Sequence, residues 1–190
     1  MKTFIYKFSL IWWCFWSQIR FRKSVKNNIG INEEDKVTNL KTLKSLLNRL
    51  YSKFTYTKDG IDQLNDAITP PPQNYQYYLN GEVKDDCDGF ASLVYHCLYN
   101  SNIQSYLLTV QSKESGHCVN LFKYKDKWYI SDYNSISKGF ITPTECIESY
   151  NKSFPLKYDK TVKSEVVFNG IVSYVYNLGC FKIIDLKNLK

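Results

Sequence analysis

Cys87 stands at the predicted first turn of a helix, and this position constrains the chain more than any other feature of the sequence. From the cysteine onward, side chains of one helical face recur at the expected spacing: Cys87, Ala91, Val94 and Leu98. Asp86, or Asp85 before it, is a suitable N-cap, since its carboxylate can accept hydrogen bonds from free N–H groups of the first turn. Those N–H groups and the helix dipole favour a thiolate, whereas the charges of Asp85, Asp86 and Asp88 oppose one. A nearby imidazolium would therefore be needed to activate the thiol.

Two predicted strands downstream carry the residues that could supply this activation. The segments 117–124 and 127–132 have strand character, and a two-residue loop would join them as a hairpin. With that loop, Asp132 falls opposite Val119, so His117 and Asp132 emerge on one face as diagonal neighbours. A three-residue loop would put them on opposite faces. The hypothesis of a Cys-His-Asp site is therefore a prediction of strand register.

Cys87, His117 and Asp132 together form a candidate catalytic triad for acyl transfer. The thiolate would attack a carbonyl carbon, and the imidazole would hold the thiol proton and later deliver it to the leaving amine. The carboxylate would orient the ring and stabilise its charged form. The backbone N–H of Cys87 can supply one oxyanion donor. Gln76, Tyr78 and Asn80 are candidates for the second, with a weak preference for Gln76.

The other cysteines and the second histidine predict structural roles. Six cysteines at scattered spacing fit neither a disulfide framework nor a zinc ribbon, which favours a reducing cytosol. His117 and Cys118 are adjacent strand residues that point to opposite faces, and no fourth ligand presents itself for zinc. His96 lies within the Cys87 helix and is interpreted as structural. We expect no metal and no cofactor, and we expect core positions for Cys97, Cys118, Cys146 and Cys180.

Three short motifs resemble the transglutaminase-like superfamily, whose fold is papain-like. They are Asp86-Cys87-Asp88 with Phe90-Ala91, Gly116-His117, and Trp128-Tyr129-Ile130-Ser131-Asp132, and upstream of them Phe54-Thr55-Tyr56 precedes an acidic turn. The resemblance covers about residues 40–135. It implies an α+β domain with a papain-like, transglutaminase-like core, in which the nucleophile helix packs on an antiparallel sheet. It also implies Cys87 as nucleophile, His117 as base and acid, and Asp132 as orienter.

The chain departs from the family pattern at positions that leave this triad intact. Asp85 stands where glycine is common, Gly89 where an acidic residue is frequent, and Tyr133 where proline is usual. The resemblance implies a cysteine peptidase that hydrolyses a peptide or amide bond of a peptide or protein substrate through an acyl-enzyme. The alternatives are amine transfer, as in a transglutaminase, and a catalytically inactive binding or membrane-associated module.

The remaining organisation is that of one domain over 27–190, preceded by an amphipathic aromatic helix over 1–26 with a basic flank. The helix is interpreted as packed on the domain, with a membrane-surface anchor and a signal segment as alternatives. The net charge of +7 is scattered, so we expect a solvated surface and no nucleic-acid partner. The expected location is cytoplasmic, or peripheral to a membrane if the helix is an anchor.

Further elements are predicted along the chain. The pattern predicts a helix over 35–51, a short strand over 54–57, a stiff proline linker at 70–72 and a loop over 75–81. A strand over 103–111 precedes the hairpin. A helix starting at Pro143 carries Cys146, Ile147 and Tyr150 inward, and strands over 162–176 and 180–185 extend the sheet.

Overall fold

A computed structural model describes residues 29–58, 71–111, 116–153 and 166–168 of the chain. The helices are α1 (Leu40–Ser52), α2 (Pro71–Leu79), α3 (Cys87–Asn100) and α4 (Pro143–Ser153). The strands are β1 (Phe54–Tyr56), β2 (Val83–Asp85), β3 (Ser105–Gln111), β4 (Gly116–Tyr124), β5 (Lys127–Asp132), β6 (Ser135–Ile136) and β7 (Val166–Phe168). A single 3-10 turn, Glu33–Asp35, precedes α1.

The described strands form two sheets. Five of them make an antiparallel sheet in the order β6-β5-β4-β3-β7, and β1 and β2 form a separate parallel pair. One hydrophobic core lies between α1, α2, α3 and one face of the large sheet, and a second lies between the other face and α4. Because α3 packs on β3 and β4, the expected α+β fold with the Cys87 helix on an antiparallel sheet is confirmed.

Helix α1 forms where the leucine spacing predicts it, but it begins five residues later than expected. Asn39 is its N-cap, and the Asn39 side chain accepts a hydrogen bond of 2.9 Å from the backbone N–H of Thr42. Four leucines turn inward and are at most 1% exposed: Leu43, Leu46, Leu47 and Leu50. Burial of each such side chain contributes about 1.5–3 kcal/mol. The start at Leu40 follows from the cap, because the residues before it are in a 3-10 turn and extended backbone.

The predictions of a stiff proline linker and a following loop are wrong, because this segment is helix α2. Prolines fit the first turn of a helix, where backbone N–H groups have no partner within the helix. Tyr75 and Tyr78 are three residues apart, buried, and both donate their hydroxyls to the fully buried Asp35, at 2.9 and 3.3 Å. Arg49 of α1 binds the same carboxylate at 2.9 Å. Asp35 therefore links α2 to α1 through hydrogen bonds and an ion pair.

The predicted register of the β4–β5 hairpin is confirmed. Tyr124 pairs with Lys127, and the loop has two residues, Lys125 and Asp126. Their φ angles are 47° and 61°, the left-handed values that a type I′ turn requires at both central positions. This turn matches the twist of the flanking strands, so it fixes which residues of β4 and β5 share a face.

The other predicted elements have different outcomes. The short strand at β1, the strand at β3 and the start of α4 at Pro143 are confirmed. Of the predicted tail strands, only Val166–Phe168 is described, and it pairs with β3. The N-terminal helix, its basic flank, Cys14 and Cys180 lie outside the described residues. Across the described ranges, every helix is too short or too polar to cross a membrane.

Candidate active site

Helix α3 presents Cys87 at the point where the helix begins. Asp86 is the N-cap as predicted, and its Oδ1 accepts a hydrogen bond of 3.1 Å from the backbone N–H of Asp88. The body of the helix is buried from Asp88 to Leu98, so packing on all sides fixes the position of its first turn. Cys87 itself is half-buried, whereas the other cysteines in the described ranges are buried, as predicted: Cys97, Cys118 and Cys146.

His117 and Asp132 meet at the end of the hairpin. The His117 Nε2 atom lies 2.9 Å from Asp132 Oδ1, and the two side chains are 12% and 19% exposed. The juxtaposition that the two-residue loop predicts is therefore present. Because the carboxylate binds one ring nitrogen, it fixes the orientation of the imidazole.

Tyr150 contributes to this pair, and sequence reasoning did not assign it to the site. Its hydroxyl donates to Asp132 Oδ2 at 2.8 Å, so both oxygens of the carboxylate have a partner. Along β5, Asp132 follows Trp128 and Ile130 at a period of two, and those residues pack in the core formed with α4. The sequence placed Tyr150 on the inner face of α4. The sequence did not predict that α4 packs on β5, because local patterns do not specify contacts between distant segments.

A small cavity joins the first turn of α3 to the ends of β4 and β5. Cys87 and Phe90 line one side, and residues 118–120 and 131–133 line the other. The space between these residues is narrow: a water-sized sphere finds about 0 Å³ of room in it, and the figure reaches about 150 Å³ only when open solvent is counted. Cys87 and Asp132 therefore share one cavity, and His117 adjoins it through its bond to Asp132.

Tyr133 occupies the turn that follows Asp132. Asp132 pairs with Ser135, so Tyr133 is the first residue of a two-residue turn, and its φ is 45°. A proline at position 133, with its φ fixed near −65°, would not fit this turn. The Tyr133 ring lies 5.9 Å from the His117 ring and 5.2 Å from the Phe90 ring, measured between centroids. Tyr133 thus bridges the hairpin and α3 at the cavity.

The two departures at positions 85 and 89 are linked in space. A Cβ added at Gly89 would lie 2.0 Å from the Asp85 Cγ, so the Asp85 carboxylate fills the space of a side chain at 89. The Asp85 carboxylate therefore lies beside the first turn of α3, where a side chain at position 89 would otherwise lie.

Carboxylates of Asp85, Asp86 and Asp88 surround the first turn of α3. One oxygen of each lies within 4.8 Å of the others. Carboxylate oxygens are the ligands that Ca²⁺ and Mg²⁺ prefer, so within the described ranges these residues could hold a divalent cation. The sequence analysis expected no metal.

The structure does not bring the predicted second oxyanion donor to the cavity. Gln76 lies on the exposed face of α2, where its Nε2 donates to Asn80 Oδ1 at 3.3 Å, and it is not among the residues that line the cavity. Sequence spacing suggested it because the segment was interpreted as a loop. In the helix, its neighbours at 75 and 78 point inward and Gln76 points outward.

His96 has the structural position that the sequence predicts. It is 3% exposed, and its Nε2 lies 3.0 Å from the carbonyl oxygen of Ile29. The ring of Tyr75 is 5.0 Å away between centroids. Burial lowers the pKa of His96 to about 4, so the imidazole is neutral at physiological pH.

No family model matches the chain. Three solved structures are similar to it at low identity. A protein of Cytophaga hutchinsonii described as a cysteine protease candidate is 14% identical, with a TM-score of 0.40, and the similarity covers 62% of this chain and 37% of that one. Legionella pneumophila LapG is 21% identical, with a TM-score of 0.40 and coverage of 67% and 75%. Calcium-bound LapG is 16% identical, with a TM-score of 0.42 and coverage of 83% and 92%. The chain thus spans little more than a third of the first protein and most of LapG.

Proposed function

We propose that the protein is a cysteine-dependent acyl-transfer enzyme that hydrolyses a peptide or amide bond. Cys87 is the nucleophile, His117 the base and acid, and Asp132 the residue that orients His117. The observation that carries this proposal is the His117–Asp132 pair, 2.9 Å between Nε2 and Oδ1, at a cavity lined by both Asp132 and Cys87. A half-buried thiol at a helix N-terminus is activated when an oriented imidazole can take its proton.

The reaction has two halves that share one acyl-enzyme. His117 takes the Cys87 proton, and the sulfur attacks the carbonyl carbon; the tetrahedral intermediate then expels the amine, which leaves with the proton from His117. A thioester remains. In the second half His117 takes a proton from water, the hydroxide attacks the thioester, and the acid departs while the thiol regains its proton.

The geometry assigns the two ring nitrogens of His117 to different tasks. Asp132 binds Nε2, so proton exchange with Cys87 and with water would use Nδ1. Asp132 accepts a second hydrogen bond from Tyr150, at 2.8 Å. An imidazolium formed during the reaction would therefore face a carboxylate that is already held in place. A positioned acid and base of this kind contributes about 10²–10⁴ in rate.

Transfer to an amine, the reaction of a transglutaminase, is the alternative that shares the acyl-enzyme. It differs only in the nucleophile that resolves the thioester, so the products distinguish it. An inactive module is the alternative without chemistry. It would hold the same three residues without cleaving any bond.

The test is digestion of a peptide library derived from a whole proteome, in H₂¹⁸O and with added cadaverine, followed by mass spectrometry. The expected result is new peptide ends that carry ¹⁸O, present with the parent protein and absent with Cys87→Ala and with His117→Ala. Cadaverine adducts on glutamine in place of new ends would establish amine transfer. No product above the Cys87→Ala background would support the inactive module.

A further inference from the structure

An aromatic surface leads outward from the candidate site. We call it the aromatic shelf and define it as Tyr51, Tyr56 and Tyr133. The Tyr51 ring lies 5.9 Å from the Tyr133 ring in an edge-on arrangement, and Tyr133 in turn contacts His117. Tyr51 and Tyr56 are 47% and 60% exposed, so the shelf offers aromatic faces to a ligand next to the nucleophile. Exposed large aromatic residues grouped beside a reactive thiol are candidates for substrate contacts.

The backbone of Tyr133, the inner residue of the aromatic shelf, has an unfavourable conformation. A φ of 45° is rare for a bulky residue, and such strain persists only where surrounding contacts determine it. Here the contacts are rings on both sides: Phe90 at 5.2 Å, and Phe54 at 6.1 Å. The left-handed turn thereby places an aromatic ring at the cavity. A residue with negative φ at this position would give the chain a different path.

Carboxylates lie close to the aromatic shelf. Asp86 is half-buried and is the most accessible of the three carboxylates at the first turn of α3. Tyr56 pairs with Asp85 across β1 and β2, so the shelf adjoins the acidic group directly. In the part of the chain that the structure describes, no lysine or arginine forms an ion pair with Asp86. The chain as a whole carries +7, so overall composition does not account for a negative patch at this place.

Several titratable groups lie near the Tyr133 hydroxyl. Burial raises the pKa of Tyr133 well above its usual range, and the acidic groups near it add to the rise. In order of their effect these groups are Cys87, Tyr56, Asp132 and Asp86. Asp132 and Asp86 are the two carboxylates among these groups.

We propose that the aromatic shelf and Asp86 bind an arginine side chain of a peptide substrate, next to the bond that Cys87 attacks. This inference rests on the proposed function and names its substrate class. The guanidinium stacks on the tyrosine faces while its N–H groups donate to the Asp86 carboxylate. Arginine fits better than lysine because its planar cation stacks on rings and binds carboxylates through two parallel hydrogen bonds. An acidic side chain would be repelled by Asp86.

The test uses acyloxymethyl ketones of the single amino acids arginine, leucine and glutamate as probes. In these reagents the thiolate forms a C–S bond and displaces a carboxylate, so labelling of Cys87 is measured by intact mass without a hydrolysis step. We expect the arginine probe to label Cys87 about tenfold faster than the leucine probe, the sum of an exposed ring contact and an ion pair. The glutamate probe should be slowest.

Two variants test the assignment of residues, and the ratio of arginine to leucine labelling rates is the readout. Asp86→Asn removes the charge and keeps a residue that caps helices well. Tyr51→Leu removes an exposed ring face. Each should lower the ratio about threefold. Tyr99→Leu is the matched control, because Tyr99 is 56% exposed at the far end of α3, and it should leave the ratio unchanged.

The outcomes separate the failure of this inference from the failure of the proposed function. Equal labelling by the three probes that disappears in His117→Ala overturns the arginine site and leaves the enzyme proposal standing. A tenfold ratio that both variants preserve overturns the assignment to the aromatic shelf and Asp86. If no probe labels Cys87, both proposals are overturned.

Discussion

Removal of the Tyr150 hydroxyl tests whether the second contact on Asp132 supports the candidate site. In the parent protein the carboxylate accepts from His117 at 2.9 Å and from Tyr150 at 2.8 Å. Tyr150→Phe deletes the second hydrogen bond and keeps the ring that packs against the α4 core. The variant therefore removes the hydrogen-bond partner that Tyr150 provides to the Asp132 Oδ2 atom.

The expected size of the effect follows from that contact. A hydrogen bond to a charged group contributes about 1.5–3 kcal/mol. The Asp132 side chain is 19% exposed, so water can replace part of the lost partner, and we expect the lower end, about 1.5 kcal/mol. If that contribution supports the imidazolium, the rate of Cys87 alkylation at pH 6 should fall about tenfold.

The assay is iodoacetamide alkylation of Cys87 followed by peptide mass spectrometry, together with urea unfolding. Tyr124→Phe is the matched control, since the Tyr124 hydroxyl also donates one hydrogen bond, to the Thr38 carbonyl at 3.0 Å, at a place away from the site. Tyr124→Phe should leave the alkylation rate unchanged. Unaltered alkylation in Tyr150→Phe, or an equal fall in both variants, would refute the role assigned to Tyr150.

Two further predictions concern stability. The pKa of His96 is lowered by burial from 6.5 to about 4, so the stability that its neutral form supports is complete above pH 6.5 and is lost as the pH falls towards 4, by about 3 kcal/mol. In urea unfolding between pH 7 and 4, the free energy of unfolding of His96→Gln should therefore depend less on pH than that of the parent. An equally strong dependence in the variant would contradict the attribution of this pH effect to His96. Gly89→Ala should lower stability by about 1–3 kcal/mol, because its Cβ would lie 2.0 Å from the Asp85 Cγ, and the added change Asp85→Gly should recover most of the loss. Gly30→Ala is the control, with nothing within 4 Å of the added Cβ, and equal losses in the two alanine variants would contradict the steric argument.

The features that sequence predicted well are governed by neighbours in the chain. The N-cap at Asp86 and the start of α3 depend on the chemistry of one turn. The hairpin register depends on strand alternation and on a two-residue loop, and it brought His117 to Asp132. These local rules were sufficient to place the His-Asp pair and to put Cys87 at a helix start.

The features that sequence missed depend on contacts between distant segments. Pro71 and Pro72 suggested a linker, but they begin a helix whose tyrosines bind a buried carboxylate about forty residues earlier, Asp35. Tyr150 reaches Asp132 because α4 packs on β5, and nothing in either segment specifies that packing. Gln76 was assigned from its place in a presumed loop, but the segment is a helix and Gln76 lies on its exposed face.

The pH dependence of Cys87 alkylation by iodoacetamide, in the parent protein and in His117→Ala, tests the central claim most directly. The buried Cys118 and Cys146 serve as internal controls, and burial raises the pKa of Cys146 to about 11. The account predicts that Cys87 reacts well below the free-thiol pKa of about 8.5 and loses this reactivity in His117→Ala. Reaction of Cys87 no faster than that of the control cysteines, in both proteins, would contradict it.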